Sequence, residues 1–173
     1  AIKSTSVQIN LLDIYGKPKE TNVPMLIKDK GSNDVLHKYI HTLNRDGNPD
    51  TISLDPLLKY DVMVYTLPPQ HISDMEVVIG EHNIIEKPAP QGSLMIKQED
   101  GYRLSETKVI VREKNISRTL NVQEFGEKVD YIVGSYDLEI LTLPRIYKYN
   151  VDIKQDQTTS IVIKQPGDRK SVV

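Results

Sequence analysis

Apolar and polar side chains alternate in short bursts along nearly the whole chain. In Tyr136-Asp137-Leu138-Glu139-Ile140, three apolar residues fall on one face and two acids on the other. Successive strand residues point to opposite sides, so a period of two marks a strand with one face in a core and one in water. Tyr149, Val151 and Ile153 alternate in the same way with Asn150, Asp152 and Lys154, as do Val7, Ile9 and Leu11 with Gln8 and Asn10, and Val109 and Val111 with Lys108 and Arg112. Such runs predict strands at 5–12, 23–28, 37–43, 51–54, 60–67, 74–79 and 83–87, then at 93–98, 107–113, 116–123, 127–132, 135–142, 147–153 and 158–164. The gaps are short and hold turn formers, among them Asp13 to Pro18, Asn44 to Pro49 and Asp100-Gly101. No segment keeps a helical period, and evenly spaced short strands of this kind predict β-sandwiches.

The bursts also repeat. Tyr60-Asp61-Val62-Met63-Val64-Tyr65-Thr66-Leu67-Pro68-Pro69 returns 76 residues later as Tyr136-Asp137-Leu138-Glu139-Ile140-Leu141-Thr142-Leu143-Pro144-Arg145, with five of ten positions identical. Upstream, Val7-Gln8-Ile9 parallels Leu94-Met95-Ile96. Downstream, Ile72, Val77 and Ile79 are matched to Ile146, Val151 and Ile153. From Val7 to Tyr60 the first copy has 53 positions, and from Leu94 to Tyr136 the second has 42, so an insertion of 11 belongs to the first. A self-similar period of this length is the mark of a duplicated unit. The reading is two tandem all-β antiparallel sandwiches of about seven strands each, residues 1–90 and 91–173, joined through Lys87-Pro88-Ala89-Pro90-Gln91-Gly92. Two prolines in six residues predict a joint of restricted freedom. Tyr60 and Tyr136 are expected to be buried anchors, with Leu67 equivalent to Leu143.

Composition adds exclusions. The 173 residues are 38% hydrophobic and 27% charged, with no Trp and one Phe beside nine Tyr. Net charge is -2, and residues 1–90 carry 9 basic and 12 acidic side chains against 13 and 12 in the rest, so neither half offers a basic surface for nucleic acid. No run reaches the roughly 18 apolar residues of a membrane helix. The absence of cysteine removes disulfides, thiolate metal sites and thiol nucleophiles together. A start at Ala1-Ile2-Lys3 suits an excised segment or a processed mature chain and leaves export open.

Leu54-Asp55-Pro56-Leu57-Leu58-Lys59-Tyr60-Asp61-Val62 and Val133-Gly134-Ser135-Tyr136-Asp137-Leu138 resemble the turn and Tyr-strand of small Ig-like sandwiches of the carboxypeptidase-regulatory or transthyretin-like kind. The second copy, with its Tyr-centred run and closing Gln165-Pro166-Gly167, is similar to the β-sandwich region that follows the von Willebrand factor A domain in bacterial envelope proteins. The resemblance implies that Gly134 serves a tight turn, for which the first copy has only Leu57-Leu58-Lys59. It does not extend to the A domain itself, whose Asp-x-Ser-x-Ser metal loop is absent from the sequence.

Candidate chemistry is sparse. His37 and His41 have the spacing of zinc ligands on a helix, but on a strand they lie about 13 Å apart. Asp46-Gly47-Asn48-Pro49-Asp50 has oxygen ligands, yet lacks the alternating acids and final Glu of a calcium loop and reads as a turn. No Gly-x-Ser-x-Gly elbow or phosphate loop occurs, and Asp61 and Asp137 alternate outward. Asn115-Ile116-Ser117 is a glycosylation sequon in a secreted eukaryotic context alone. No catalytic, cofactor or metal residue is therefore assigned. The expectation is a non-enzymatic accessory module of an exported, periplasmic or cell-surface protein, spacing or docking other domains of its own polypeptide or of another envelope protein. A carbohydrate- or peptide-binding module is the alternative, with Tyr15, Tyr65, Tyr102 or Tyr147 as the aromatic contacts.

Overall fold

The computed structural model describes residues 5–99 and 107–164, and every regular element among them is a strand. The chain divides into two compact units, Ala1–Pro90 and Gln91–Val173. The first contains β1 (Ser6–Leu12), β2 (Pro24–Asp29), β3 (Val35–Ile40), β4 (Ile52–Ser53), β5 (Tyr60–Val64), β6 (Gln70–Met75) and β7 (His82–Pro88). The second contains β8 (Gln91–Gln98), β9 (Lys108–Glu113), β10 (Asn121–Glu124), β11 (Lys128–Ile132), β12 (Gly134–Ile140), β13 (Ile146–Ile153) and β14 (Thr158–Ile163).

Each unit is a three-stranded and a four-stranded sheet. The orders are β4-β1-β7 with β3-β2-β5-β6 in the first, and β11-β8-β14 with β10-β9-β12-β13 in the second. Subtracting seven from the second set of labels reproduces the first. All pairings are antiparallel except β1 with β7 and β8 with β14. An immunoglobulin constant domain pairs its first strand with its second and its third with its sixth, whereas here the first strand lies between the fourth and the seventh. The two-layer architecture is Ig-like, and the strand order within it is different.

Alternation sets the core. Val7, Ile9 and Leu11 of β1, Met25 and Ile27 of β2, and Tyr60, Val62 and Val64 of β5 are buried. Their counterparts in the second unit are Leu94 and Ile96, Val109 and Val111, and Tyr136, Leu138 and Ile140, also buried. Each fully buried aliphatic side chain contributes roughly 1.5–3 kcal/mol.

The ladders fix what is equivalent to what. Lys38 pairs with Leu26 as Val122 pairs with Ile110, an offset of 84. Ile52 pairs with Val7 as Val129 pairs with Leu94, an offset of 77. Seven of the eleven inserted residues thus lie between β3 and β4. Past the Tyr-centred run, Met75 opposes Tyr60 as Val151 opposes Tyr136, so the offset of 76 persists. Val77 and Ile153 are then equivalent and both buried, and the expected match of Ile72 to Ile146 was two residues out. A slip of two leaves every side chain on its own face, so alternation alone cannot detect it.

Other expectations shift as well. The predicted strand at 74–79 is β6 at Gln70–Met75, because Asp74 adopts φ 55° and the chain leaves the sheet soon after. The strand predicted at 116–123 shortens to Asn121–Glu124, and that at 37–43 moves to Val35–Ile40. Gly134 opens β12 without a left-handed φ, and a Cβ there would meet nothing closer than 3.9 Å, so no turn demands it. In the first copy Asp55 makes the turn, its carboxylate accepting from the Leu57 N–H at 2.9 Å. Strands β7 and β8 extend into the expected joint, leaving Ala89 and Pro90 between them.

Candidate functional site

The repeated motif is the first place to look for a site, and its shared polar residues are consumed by the fold. The Tyr60 hydroxyl donates to the Asp55 carbonyl at 2.7 Å, and the Tyr136 hydroxyl to the Ile132 carbonyl. Both rings are at most 3% exposed. A tyrosine that reaches back to upstream backbone in this way pins a sandwich corner. Burial raises both phenols above their ordinary range.

Asp61 and Asp137 are not simply solvated acids. Asp61 Oδ1 accepts from the Asp74 N–H and Asp137 Oδ1 from the Asn150 N–H, each at 3.1 Å. Asp74 and Asn150 have φ of 55° and 56°. They stand where the ladder registers shift, between Tyr60 and Val62 and between Tyr136 and Leu138. The aspartate of each copy therefore holds a β-bulge in the neighbouring strand. Thr66 and Thr142 donate to the carbonyls of Pro68 and Pro144 at 2.7 Å, beside cis peptides at Leu67-Pro68 and Leu143-Pro144.

The histidines are not brought together. His37 is half-buried on β3, while His41 lies beyond its end and is 1% exposed. Its Nδ1 is 2.9 Å from Thr21 Oγ1 and its Nε2 is buried with no well-formed hydrogen bond. Burial holds this imidazole below its ordinary pKa.

Residues 46–50 are a turn with a twin. Asn44 Oδ1 accepts from the N–H groups of Asp46 at 2.9 Å and Asn48 at 3.0 Å, with Gly47 at φ 79°. Asp13 Oδ1 does the same for Tyr15 at 2.8 Å and Lys17 at 3.0 Å, with Gly16 at φ 76°. The bridges Leu12↔Pro18 and Leu43↔Pro49 close both loops. A shared pattern was present in the sequence: Leu12-Asp13-x-x-Gly16-x-Pro18 against Leu43-Asn44-x-x-Gly47-x-Pro49. The letters that evoke calcium thus form an ordinary turn, with Gly47 left-handed and the Asp46 and Asn48 N–H groups bound by Asn44. The two N–H bonds hold the Asp13 carboxyl below the usual range.

One arrangement has the outline of a nucleophile and base. Ser6 Oγ is 2.8 Å from His82 Nδ1, and His82 Nε2 is 3.1 Å from Gln8 Oε1. A neutral amide stands where an orienting carboxylate would, and Gln8 in turn donates to Asn10 at 2.8 Å. Without a charge to stabilise the imidazolium, this ladder is poorly suited to activating a serine.

The outer faces of the two four-stranded sheets differ more than their cores. In the first unit one row across the sheet reads Lys38, Leu26, Met63, His71, and the next holds Ile40, Pro24 and Tyr65. In the second the same rows read Val122, Ile110, Glu139, Tyr147 and Glu124, Lys108, Leu141. There the charges neutralise one another. Lys108 pairs with Glu124, and Glu139 accepts from Arg112 at 3.0 Å and from Arg145 at 2.5 Å. The Arg112 hydrogen bond, above all, keeps the Glu139 carboxyl below its usual range. Of the four candidate tyrosines, Tyr15 stands at the tip of the loop after β1, Tyr65 follows β5, and Tyr147 is on β13. Tyr102 lies outside the described residues. The Tyr147 ring is 6.1 Å from that of Tyr149 and within 4° of parallel. Tyr149 was expected on the core face with Val151 and Ile153, but the bulge at Asn150 reverses the alternation and leaves it 65% exposed beside Tyr147. Asn115 is exposed in a turn with φ 62°.

No protein-family model matches the chain, and no curated protein does. Solved structures are similar to it. The Bacillus anthracis TIE protein matches over 94% of this chain and 34% of its own at 15% identity, with a TM-score of 0.37. A streptococcal ancillary pilin matches over 94% and 63% at 12% identity and 0.40. A candidate cell adhesion protein from Bacteroides ovatus matches over 96% and 94% at 10% identity and 0.37. The chain spans about a third of the length of the first and under two thirds of the second.

Proposed function

We propose that this chain is a non-catalytic structural module of an exported or cell-envelope protein, in which two tandem sandwiches space or dock neighbouring domains. The observation that carries the reading is the fate of the repeated motif. Of its five kept positions, the three polar ones, Tyr, Asp and Thr, are all spent on hydrogen bonds that shape the fold. A duplicated catalytic site would instead have kept polar residues that the fold does not use. With Ala89 and Pro90 alone between β7 and β8, the connection has few rotatable bonds, as a spacer requires. Spin labels on the two units test this. Inserting a long Gly/Ser segment between Ala89 and Pro90 is expected to broaden the distance distribution, and an unchanged distribution would remove the spacer role.

The carbohydrate- or peptide-binding reading is favoured by one observation, the parallel and exposed rings of Tyr147 and Tyr149. Stacked rings of this kind offer an apolar surface to a sugar face. A glycan array that returns ligands lost in the Tyr147→Ala and Tyr149→Ala chains would favour it.

A further inference from the structure

On the outer face of the four-stranded sheets, the second unit serves as a reference for the first. Lys28 opposes Asp61 as Arg112 opposes Asp137, and Met63 opposes His71 as Glu139 opposes Tyr147. Ser73 precedes the bulge at Asp74 as Tyr149 precedes that at Asn150. Both copies thus have the cation and the aspartate that holds the bulge, while Glu139 and the two stacked tyrosines have Met63, His71 and Ser73 as counterparts. In the second unit this place is filled: the Glu139 side chain is 8% exposed, and its carboxylate accepts from Arg112 at 3.0 Å. The first unit instead has a recess of about 140 Å3, lined by Lys28, Asn33, Asp61, Met63, His71 and Ser73. Lys28 has no ion pair among the described residues.

We infer that this recess is a binding site for a carboxylate group, held by Lys28 as Arg112 holds Glu139. The ammonium supplies the charge, and Asn33, His71 and Ser73 bring N–H and O–H donors to the rim. A cavity of roughly 150 Å3 accepts a benzene ring, so a group of about six heavy atoms fits. A propionate ion or a glutamate side chain meets that limit. Asp61 also lines the recess, with one oxygen engaged by the Asp74 N–H at 3.1 Å. Asp137 stands in the same place in the second unit, yet the Glu139 carboxyl is held below its usual range, first by the Arg112 hydrogen bond. Arg145, the second partner of Glu139, has Pro69 as its counterpart. The site of the first unit is therefore one cation poorer, and its affinity for a lone carboxylate is expected in the millimolar range. The inference goes beyond the spacer reading and is independent of it, because every residue involved belongs to the first unit.

The test is an NMR titration of the full chain with sodium propionate, compared with sodium chloride at equal ionic strength. Propionate is expected to give saturating shifts at residues 28, 33, 61–63 and 71–73. The counterparts 112, 137–139 and 147–149 should stay still, because Glu139 already occupies the place. Lys28→Gln should weaken binding about tenfold, the low end for losing a hydrogen bond between charged groups. Met63→Glu, which supplies an internal carboxylate, should lose the response while the rest of its spectrum keeps the dispersion of a folded chain. Shifts that do not saturate, equal shifts with chloride, or undiminished binding by the Lys28→Gln chain overturn the proposal. The capped peptide Gly-Gly-Glu-Gly-Gly and its Gln counterpart separate the sources of the carboxylate. Binding of the Glu peptide at least as tight as that of propionate assigns the site to an acidic side chain of a partner, and weaker binding assigns it to a free small molecule. The spin-label distances do not depend on any of these results, so failure here leaves the spacer reading standing or falling on its own measurement.

Discussion

Gly92 shows how a residue can be visible in a sequence for the wrong reason. Beside two prolines it reads as part of a short joint, yet it is buried within β8, where a Cβ would come within 2.0 Å of the Lys154 carbonyl oxygen and 2.9 Å of the Ile153 side chain. The nearest obstacle is backbone, so it cannot rotate away. Gly92→Ala is expected to destabilise the second unit by about 2–3 kcal/mol, within the range for overpacking a core. Chemical denaturation monitored on that unit checks it, and an unchanged midpoint would mean that β8 and the Lys154 segment can separate without cost. Tyr60 and Tyr136 were legible because alternation puts them on the apolar face. Their hydroxyl acceptors, and the placement of Asp61 and Asp137, depend on where a neighbouring turn brings its backbone, which no pattern in the strand itself records.

Among elements, the seven-strand count per copy was readable, since alternation marks strands wherever one face is buried. Boundaries failed where the backbone turns left-handed or where the apolar residue is exposed: Val78 and Ile79 invite a strand after β6 but are 55% and 67% exposed. The repeat itself is weak in sequence partly because the cores compensate. Tyr39 on β3 and Leu54 after β4 stand where the second unit has Gln123 and Tyr131. In the second unit the Tyr131 hydroxyl donates to Gln123 Oε1 at 2.9 Å, and Gln123 Nε2 donates to the Leu94 carbonyl at 2.9 Å. The ring has changed sheets, which keeps volume and erases identity. The bulges offer the element-scale prediction. Asp137→Ala should cost about 1 kcal/mol, the usual worth of a hydrogen bond to backbone, while Asp137→Asn, which keeps the acceptor oxygen, should cost less. Urea titrations of the two variants compare them, and equal losses would show that charge rather than the Asn150 N–H matters.

At the scale of the whole chain, all four histidines are in the first unit, which separates the acid responses of the two. The buried His41 has a folded pKa below its unfolded value because burial disfavours the imidazolium. The unfolded chain therefore binds the proton first, so stability from this group is complete above pH about 6.5 and declines as pH falls from there to the folded pKa. Glu139, also depressed, contributes stability in the second unit that is present above about pH 4.3 and is lost as pH falls through its folded value. Thermal melts between pH 7 and 5 are expected to show the first unit weakening while the second holds. His41→Gln should flatten that dependence, and parallel decline of both units would remove His41 as its cause. The division into copies and the all-β class could be read from letters. Which faces the copies had reassigned could not, because outward residues carry no periodic constraint. The bulges at Asp74 and Asn150 have one more consequence. They break the outer ladder of β6 and of β13 at the same place in the two copies, so a strand added along either edge could pair evenly over only part of its length.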